Sequence, residues 1–176
     1  DPTRADAYDA AYAAYRDEKP VISGGRTITG WRKGRDGLWV THISEVEEGD
    51  WHFRQLFING ERRQRARTPN KGEGYYYIEG LPKPDERRAK INHTAFHYKK
   101  GHINPDWTNI DDVEIVKFFG WNAARLSVKK IDAQERLVHT DKPCSRVNRR
   151  VFDWWSKRYF VENVLEGLDR PGEWYL

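Results

Sequence analysis

The sequence predicts an all-β fold, an antiparallel β-sandwich with one short helix at its N-terminal side. The dipeptide Asn59-Gly60 stands between two β-prone runs, and both residues suit the positive φ that a two-residue hairpin demands. The run from Val113 to Phe119, VEIVKFF, alternates with the period of a strand. Turn signals recur along the chain at the spacing of an antiparallel sandwich. Aromatic residues make up 14% of the 176 residues, with eight Trp and nine Tyr, a density that fills sheet cores and also suits flat apolar ligand faces.

Residues 1–20 are read as helix and linker, and residues 21–176 as the sandwich. Tyr8, Tyr12 and Tyr15 recur at i, i+4 and i+7 in an Ala-rich stretch over about residues 5–16, which is a helical stripe that Pro20 ends. Val21–Gly25 and Arg26–Trp31 follow as short strands, then Leu38–Ile43, with a turn at Glu45–Asp50. The hairpin comes next, FRQLFINGERRQRARTPN from Phe53 to Asn70. Its first strand points Leu56 or Ile58 into the core. Its second carries Arg63, Arg65 and Arg67 at alternate positions, hence on one face, and Pro69 stops it.

A glycine loop, Lys71–Gly74, leads into Tyr75-Tyr76-Tyr77-Ile78. A charged surface loop spans Pro82–Lys90, and Asn104–Asn109 forms a second loop with Trp107 at its tip. After the Val113–Phe119 strand, a meander runs from Trp121 through Ile131 to Arg136–Thr140. Val151–Phe160 reads as strand or helix, Asn163–Leu168 as a short helical turn, and Glu173–Leu176 as a last strand.

Composition bounds the function. Thirty-one basic against 27 acidic residues give a formal charge of +4 and a pI near 9.1, too mild for a dedicated nucleic-acid binder. No stretch reaches the ~18 apolar residues of a membrane span, so neither nucleic acid nor membrane is an expected partner. The absence of Met reads as a mature or excised piece of a longer chain. The single Cys144 has no internal disulfide partner.

No catalytic constellation stands out, and neither a metal nor another cofactor is expected. His93, His97 and His102 lack the glutamate and second ligand pair of a zinc site. Asp111-Asp112, Glu47-Glu48 and Asp50 read as solvated turns, because neighbouring strand residues point apart. Cys144 with His139 upstream is a weak nucleophile–base pairing. The arginine row has two readings: it grips an anion bidentately, or it is a solvated face or pairs with acids on a neighbouring strand. Trp107, Trp121 and Tyr76 have two readings as well, as sugar-stacking rings or as core aromatics. If the domain binds a glycan, these three rings together with Arg65 and Arg67 form the expected site. Trp154-Trp155 is read as core on one side.

Several stretches taken together resemble one known arrangement. EKPVISGGRTITGW (Glu18–Trp31) resembles the rung where right-handed parallel β-helix carbohydrate-active proteins leave the helix, and Phe53–Asn70 the hairpin that follows. VEIVKFFGWNAARLSVKKID (Val113–Asp132) is similar to their later Trp-containing strand pair, and RYFVENVLEGLDRPGEWYL (Arg158–Leu176) to the segment of re-entry. This is the pattern of the inserted β-sandwich in proteins similar to glycoside hydrolase families 141 and 120. The resemblance implies an accessory carbohydrate-binding or substrate-positioning domain, with an oligosaccharide or polysaccharide and the β-helix portion of a parent chain as partners. It implies an extracellular or periplasmic setting. It offers no position here for a catalytic carboxylate, which is expected on the rungs. A purely structural insertion, or a part of an active glycosidase acting on plant cell-wall polysaccharide, are the alternatives.

Overall fold

The computed structural model describes residues 13–82, 93–144 and 157–176. The chain divides into two compact units, one ending at His52 and one running Phe53–Leu176. Most of the expected N-terminal helix falls outside the described residues. The described part, from Ala13, is irregular and turns at Arg16-Asp17.

In the first unit, β1 (Arg32–Lys33) pairs with β2 (Trp39–Val40) around a 3-10 turn at Arg35–Gly37. Asp36 and Gly37 take positive φ there. Val21–Gly25 and Arg26–Trp31 are not strands, a correction to the sequence reading. Their residues have β propensity, but a strand exists only by pairing, and here β1 starts after them. Ser44–Glu47 form one α-helical turn where a plain turn was expected. No described residue of this unit is fully buried.

The second unit is the sandwich. Its small sheet has the order β12–β4–β3, with β3 at Leu56–Ile58, β4 at Glu61–Arg65 and β12 at Glu173–Trp174. The β3–β4 hairpin turns on Asn59 (φ 54°) and Gly60 (φ 78°), with Ile58 opposite Glu61. Both turn residues sit in the left-handed region that a two-residue hairpin requires. Leu56 is the residue of β3 that points inward, while Ile58 and Phe57 stay exposed. Strand β12 adds to β4 in parallel, and Trp174 stacks on Phe53 with ring centroids 5.4 Å apart.

The large sheet has seven strands in the order β5–β11–β8–β9–β10–β7, with β6 also on β11, and its pairings are antiparallel. These are β5 (Arg67–Thr68), β6 (Tyr76–Tyr77), β7 (Ala95–His97), β8 (Glu114–Phe118), β9 (Ala123–Asp132), β10 (Leu137–Thr140) and β11 (Arg158–Glu162). Residues 151–156, including Trp154-Trp155, lie outside the described residues, as do 83–90 of the charged loop; the end of the aromatic run is strand β11.

One face of this sheet carries the core. Phe96, Ile115, Leu126, Val128, Val138, Tyr159 and Val161 are all fully buried, with Cys144 among them. Lys117 shares that side of β8 at 2% exposure. Burial pulls its amine down to about 8. The opposite face of β8 and β11 is mixed, with Val116 and Phe160 buried beside two carboxylates. Glu114 and Glu162 stand directly across from each other in register, with Arg67 next in the row.

The two sheets share one strand. After β4 the chain bends at Ala66, whose N–H donates to the Trp174 carbonyl at 2.7 Å, and it continues as β5 in the large sheet. A strand that switches sheets makes a corner. Arg65, Ala66 and Arg67 are all buried as a result, where simple alternation would have left the arginines on one uniform face.

Candidate functional site

The corner positions three guanidiniums around two carboxylates. Glu114 accepts from Arg54 Nη2 at 2.7 Å and Arg54 Nε at 3.1 Å, from Arg65 Nη1, and from Arg125 Nη1 at 3.4 Å. Glu162 accepts from Arg125 Nη1 and lies 3.9 Å from Arg65 Nη1. Burial alone would raise the Glu114 carboxyl. The hydrogen bonds and charges of Arg54 and Arg65 outweigh it and hold the group at about 2. Two adjacent carboxylates suggest a glycosidase pair, but such a pair needs one acid that still carries its proton near neutrality. Glu114 is therefore not the proton donor of such a pair.

Arg65 is only 3% exposed. Its Nε donates to Asn163 Oδ1 at 3.1 Å and its Nη1 to Glu114, while its buried Nη2 has no hydrogen-bond partner among the described residues. Arg67 lies over the Phe160 ring, 3.7 Å from the centroid, and donates from Nε to the Pro69 carbonyl at 2.8 Å. Its direct hydrogen-bond partners are backbone carbonyls, and burial lowers its pKa from the ordinary arginine value.

These side chains open onto a groove of about 720 Å³. Of the twelve residues lining it, seven are arginine or lysine and one, Glu162, is acidic. Tyr75 supplies the ring. It is 37% exposed and sits edge-on to Phe118 at 5.2 Å. Gly72 and Gly74 form the neighbouring wall at φ 96° and 99°, so the loop backbone has no side chains there to fill the space.

Of the five residues expected from the sequence, the groove gathers Arg65 and Arg67. Trp107, Tyr76 and Trp121 do not line it. Trp107 is half-buried and packs against the apolar core, so its loop folds inward. Tyr76 stacks on His102 at 4.0 Å and shares a 2.6 Å hydrogen bond with Thr68 Oγ1, which occupies one ring face and the hydroxyl. Trp121 is fully exposed in the turn between β8 and β9, at 104%. The three histidines part company: His97 Nδ1 meets the Glu135 carbonyl, His102 meets Tyr76 and Tyr159, and the His93 carbonyl accepts from the Cys144 thiol. The described residues hold no His, Cys, Asp and Glu cluster suited to a metal. Burial pushes the Cys144 thiol up to about 11, the reverse of an activated nucleophile.

The sequence reading missed Arg54, Glu114, Arg125, Glu162 and Asn163. A signal for the two acids was present. Each is a lone carboxylate flanked by apolar residues in a strand, as in VEIV and FVENV, and a carboxylate there is buried only if a cation meets it. Tyr75 was passed over for Tyr76 because three consecutive tyrosines carry no alternation to set their phase.

Among known proteins, the GH141 insertion domain family matches residues 36–176. A search of curated proteins returned no match. One solved structure, titled glycoside hydrolase, is similar with a TM-score of 0.62 and 24% identity, over 90% of this chain and 28% of that one. At that identity the likeness is one of fold, and the chain spans 28% of the length of that protein. Every strand of the two-sheet unit, the switching corner included, falls inside the family match, and the chain belongs to the GH141 insertion domain family.

Proposed function

We propose that this domain is an accessory module that holds a carbohydrate chain for a parent glycoside hydrolase, positioning substrate without cutting it. The groove at the sheet corner carries this reading. It is open, its floor is built on paired strands with the Lys71–Tyr75 loop as one wall, and it combines one ring with many directional N–H donors. A pyranose offers an apolar C–H face and a rim of hydroxyls, so a ring plus donors is the chemistry that recognises it. The ionised Glu114 serves the guanidinium scaffold and not proton transfer. The remainder of the parent chain supplies the catalytic carboxylates in this reading, and a polysaccharide substrate places the protein outside the cytoplasm.

A shallow polar groove leaves little surplus after ordering costs, so dissociation constants of ~0.1–1 mM are expected. Titration of neutral and acidic xylo-, pectic and fucosyl oligosaccharides, followed by amide NMR, tests it. Perturbed amides along Gln64–Thr68 and Gly72–Tyr75 support the reading, together with no release of reducing sugar. No perturbation by any sugar overturns it in favour of an insertion that only braces its parent. Release of reducing sugar overturns it in favour of a catalytic piece. Trp121, with both ring faces exposed, is read in the same titration as a second platform through its indole N–H.

A further inference from the structure

We propose that the corner groove is a carboxylate subsite that selects a uronate-bearing sugar, with Arg65 Nη2 and Arg67 as the fork that receives the carboxylate. This deepens the carbohydrate-binding reading above and rests on it.

The first argument is the unspent donor. A buried guanidinium normally meets all its N–H groups with acceptors, and leaving one unmet is costly. Arg65 spends Nη1 on Glu114 and Nε on Asn163, and its buried Nη2 has no partner among the described residues. The second argument is the balance of charge. Glu162 is the one acid on the groove lining, and it and Glu114 are already shared among Arg54, Arg65 and Arg125. Arg67 stands over Phe160 and bonds carbonyls, in surroundings that disfavour its charge. An incoming anion relieves both residues, since a charge-assisted contact in a half-buried site is worth more than one in water.

The third argument is the shape of the remaining wall. Tyr75 lies within cation–π range of Arg67, 6.0 Å from ring centroid to guanidinium carbon. Gly72 and Gly74 leave room beside it, and Lys71 lines the same rim. A carboxylate carried on a pyranose uses all of these at once: the planar group meets the guanidinium fork and the ring lies against Tyr75. A nucleic acid would need basic residues spread over an extended face; here the surplus is confined to one groove on a chain of net charge +4.

The test titrates the full chain with trigalacturonate, with its fully methyl-esterified form and with a neutral xylotriose, at 50 and 300 mM NaCl, by NMR of amide and arginine side-chain signals. The ester keeps the sugar and removes the charge. The acid form is expected to bind at least tenfold more tightly than the ester at low salt, with the advantage shrinking at high salt. The Arg65 and Arg67 side-chain signals should shift with the acid form. Because Arg65 also braces the fold, the variants are Arg67→Gln and Lys71→Gln, each checked for a native amide spectrum. Arg67→Gln should bring acid binding down to the ester's level, and Lys71→Gln should weaken it severalfold. Equal binding of acid and ester overturns the carboxylate subsite while leaving the carbohydrate reading standing. Binding of the acid unaffected by Arg67→Gln overturns the assignment to this groove. No binding of any of the three sugars overturns both, as does a response to inorganic phosphate alone.

Discussion

Neutralising Glu114 is the sharpest probe of the corner. In Glu114→Gln the side chain keeps its shape, but Arg54, Arg65 and Arg125 lose the carboxylate they share. Arg54 and Arg125 reach solvent and are rescued by water. Arg65, almost wholly buried, keeps its bond to Asn163 but has only one carboxylate left, Glu162 at 3.9 Å. Removing one partner of a buried pair costs about 3–5 kcal/mol, chiefly as the penalty of the stranded charge. Linkage offers a second route to the magnitude. A carboxyl held at about 2 against an ordinary value of 4.5 contributes roughly 2–3 kcal/mol at neutral pH once residual screening is allowed for. The expected loss is therefore about 3 kcal/mol, or about 12 °C in Tm for a unit of this size.

The sign of the pH dependence follows from the lowered pKa of Glu114. Its contribution is fully present above about pH 4.5 and disappears as pH falls through about 2. Urea unfolding between pH 2 and 7 should show that acid slope in the wild type and a shallower one in Glu114→Gln. Combining it with Arg65→Met should recover about 2 kcal/mol relative to additivity, since the stranded cation is gone. A Glu114→Gln variant within ~0.5 kcal/mol of wild type, or one with an unchanged acid slope, would refute the reasoning.

Gly60→Val should lower stability by about 1 kcal/mol or more. The space around Gly60 is open, so the cost comes from forcing a β-branched residue to φ 78° and not from collision; an unchanged denaturation midpoint counts against it. Asn163→Ala should cost on the order of 3 kcal/mol, because its amide serves Arg65, Leu176 and the Asp112 carbonyl from a fully buried position; a calorimetric Tm within about 2 °C of wild type would show those bonds to be replaceable. Lys117→Met should stabilise the domain by about 1–2 kcal/mol at pH 7, since burial opposes the charged amine. The wild-type stability should rise between about pH 8 and 10.5 as the folded state's lysine sheds its proton first, and the Met variant should show no such rise.

Local order was legible in the sequence wherever neighbouring residues decide it. The Asn59-Gly60 hairpin, the alternation of β8 and the closing strand at Glu173 all follow from short-range chemistry. Val21–Trp31 shows the limit of that chemistry: β-prone residues without a partner strand do not form one. The site was legible in part. Arg65 and Arg67 stood out, but their burial depends on Glu114, 49 residues from Arg65, and on Asn163, 98 residues from it. An arginine row reads as surface until those long-range partners are known. Trp107 had two readings, a stacking ring or a core aromatic, and its polar neighbours could not decide between them; its loop turns inward and the ring packs on the core. Asn163 began a segment that does form the expected helical turn, at Leu165–Gly167. Nothing local marked Asn163 itself as the residue on which three distant segments converge.

The Asn163 side-chain amide holds the backbone of Leu176 at two points, accepting from its N–H at 3.0 Å and donating to its carbonyl at 2.9 Å. A backbone amide outside a strand ladder ordinarily trades protons with water almost freely. Here the amide of Leu176 is fastened to the same side chain that orients Arg65. Its deuterium uptake thus times the moment at which Leu176 lets go of that side chain, a local clock set beside the guanidinium scaffold.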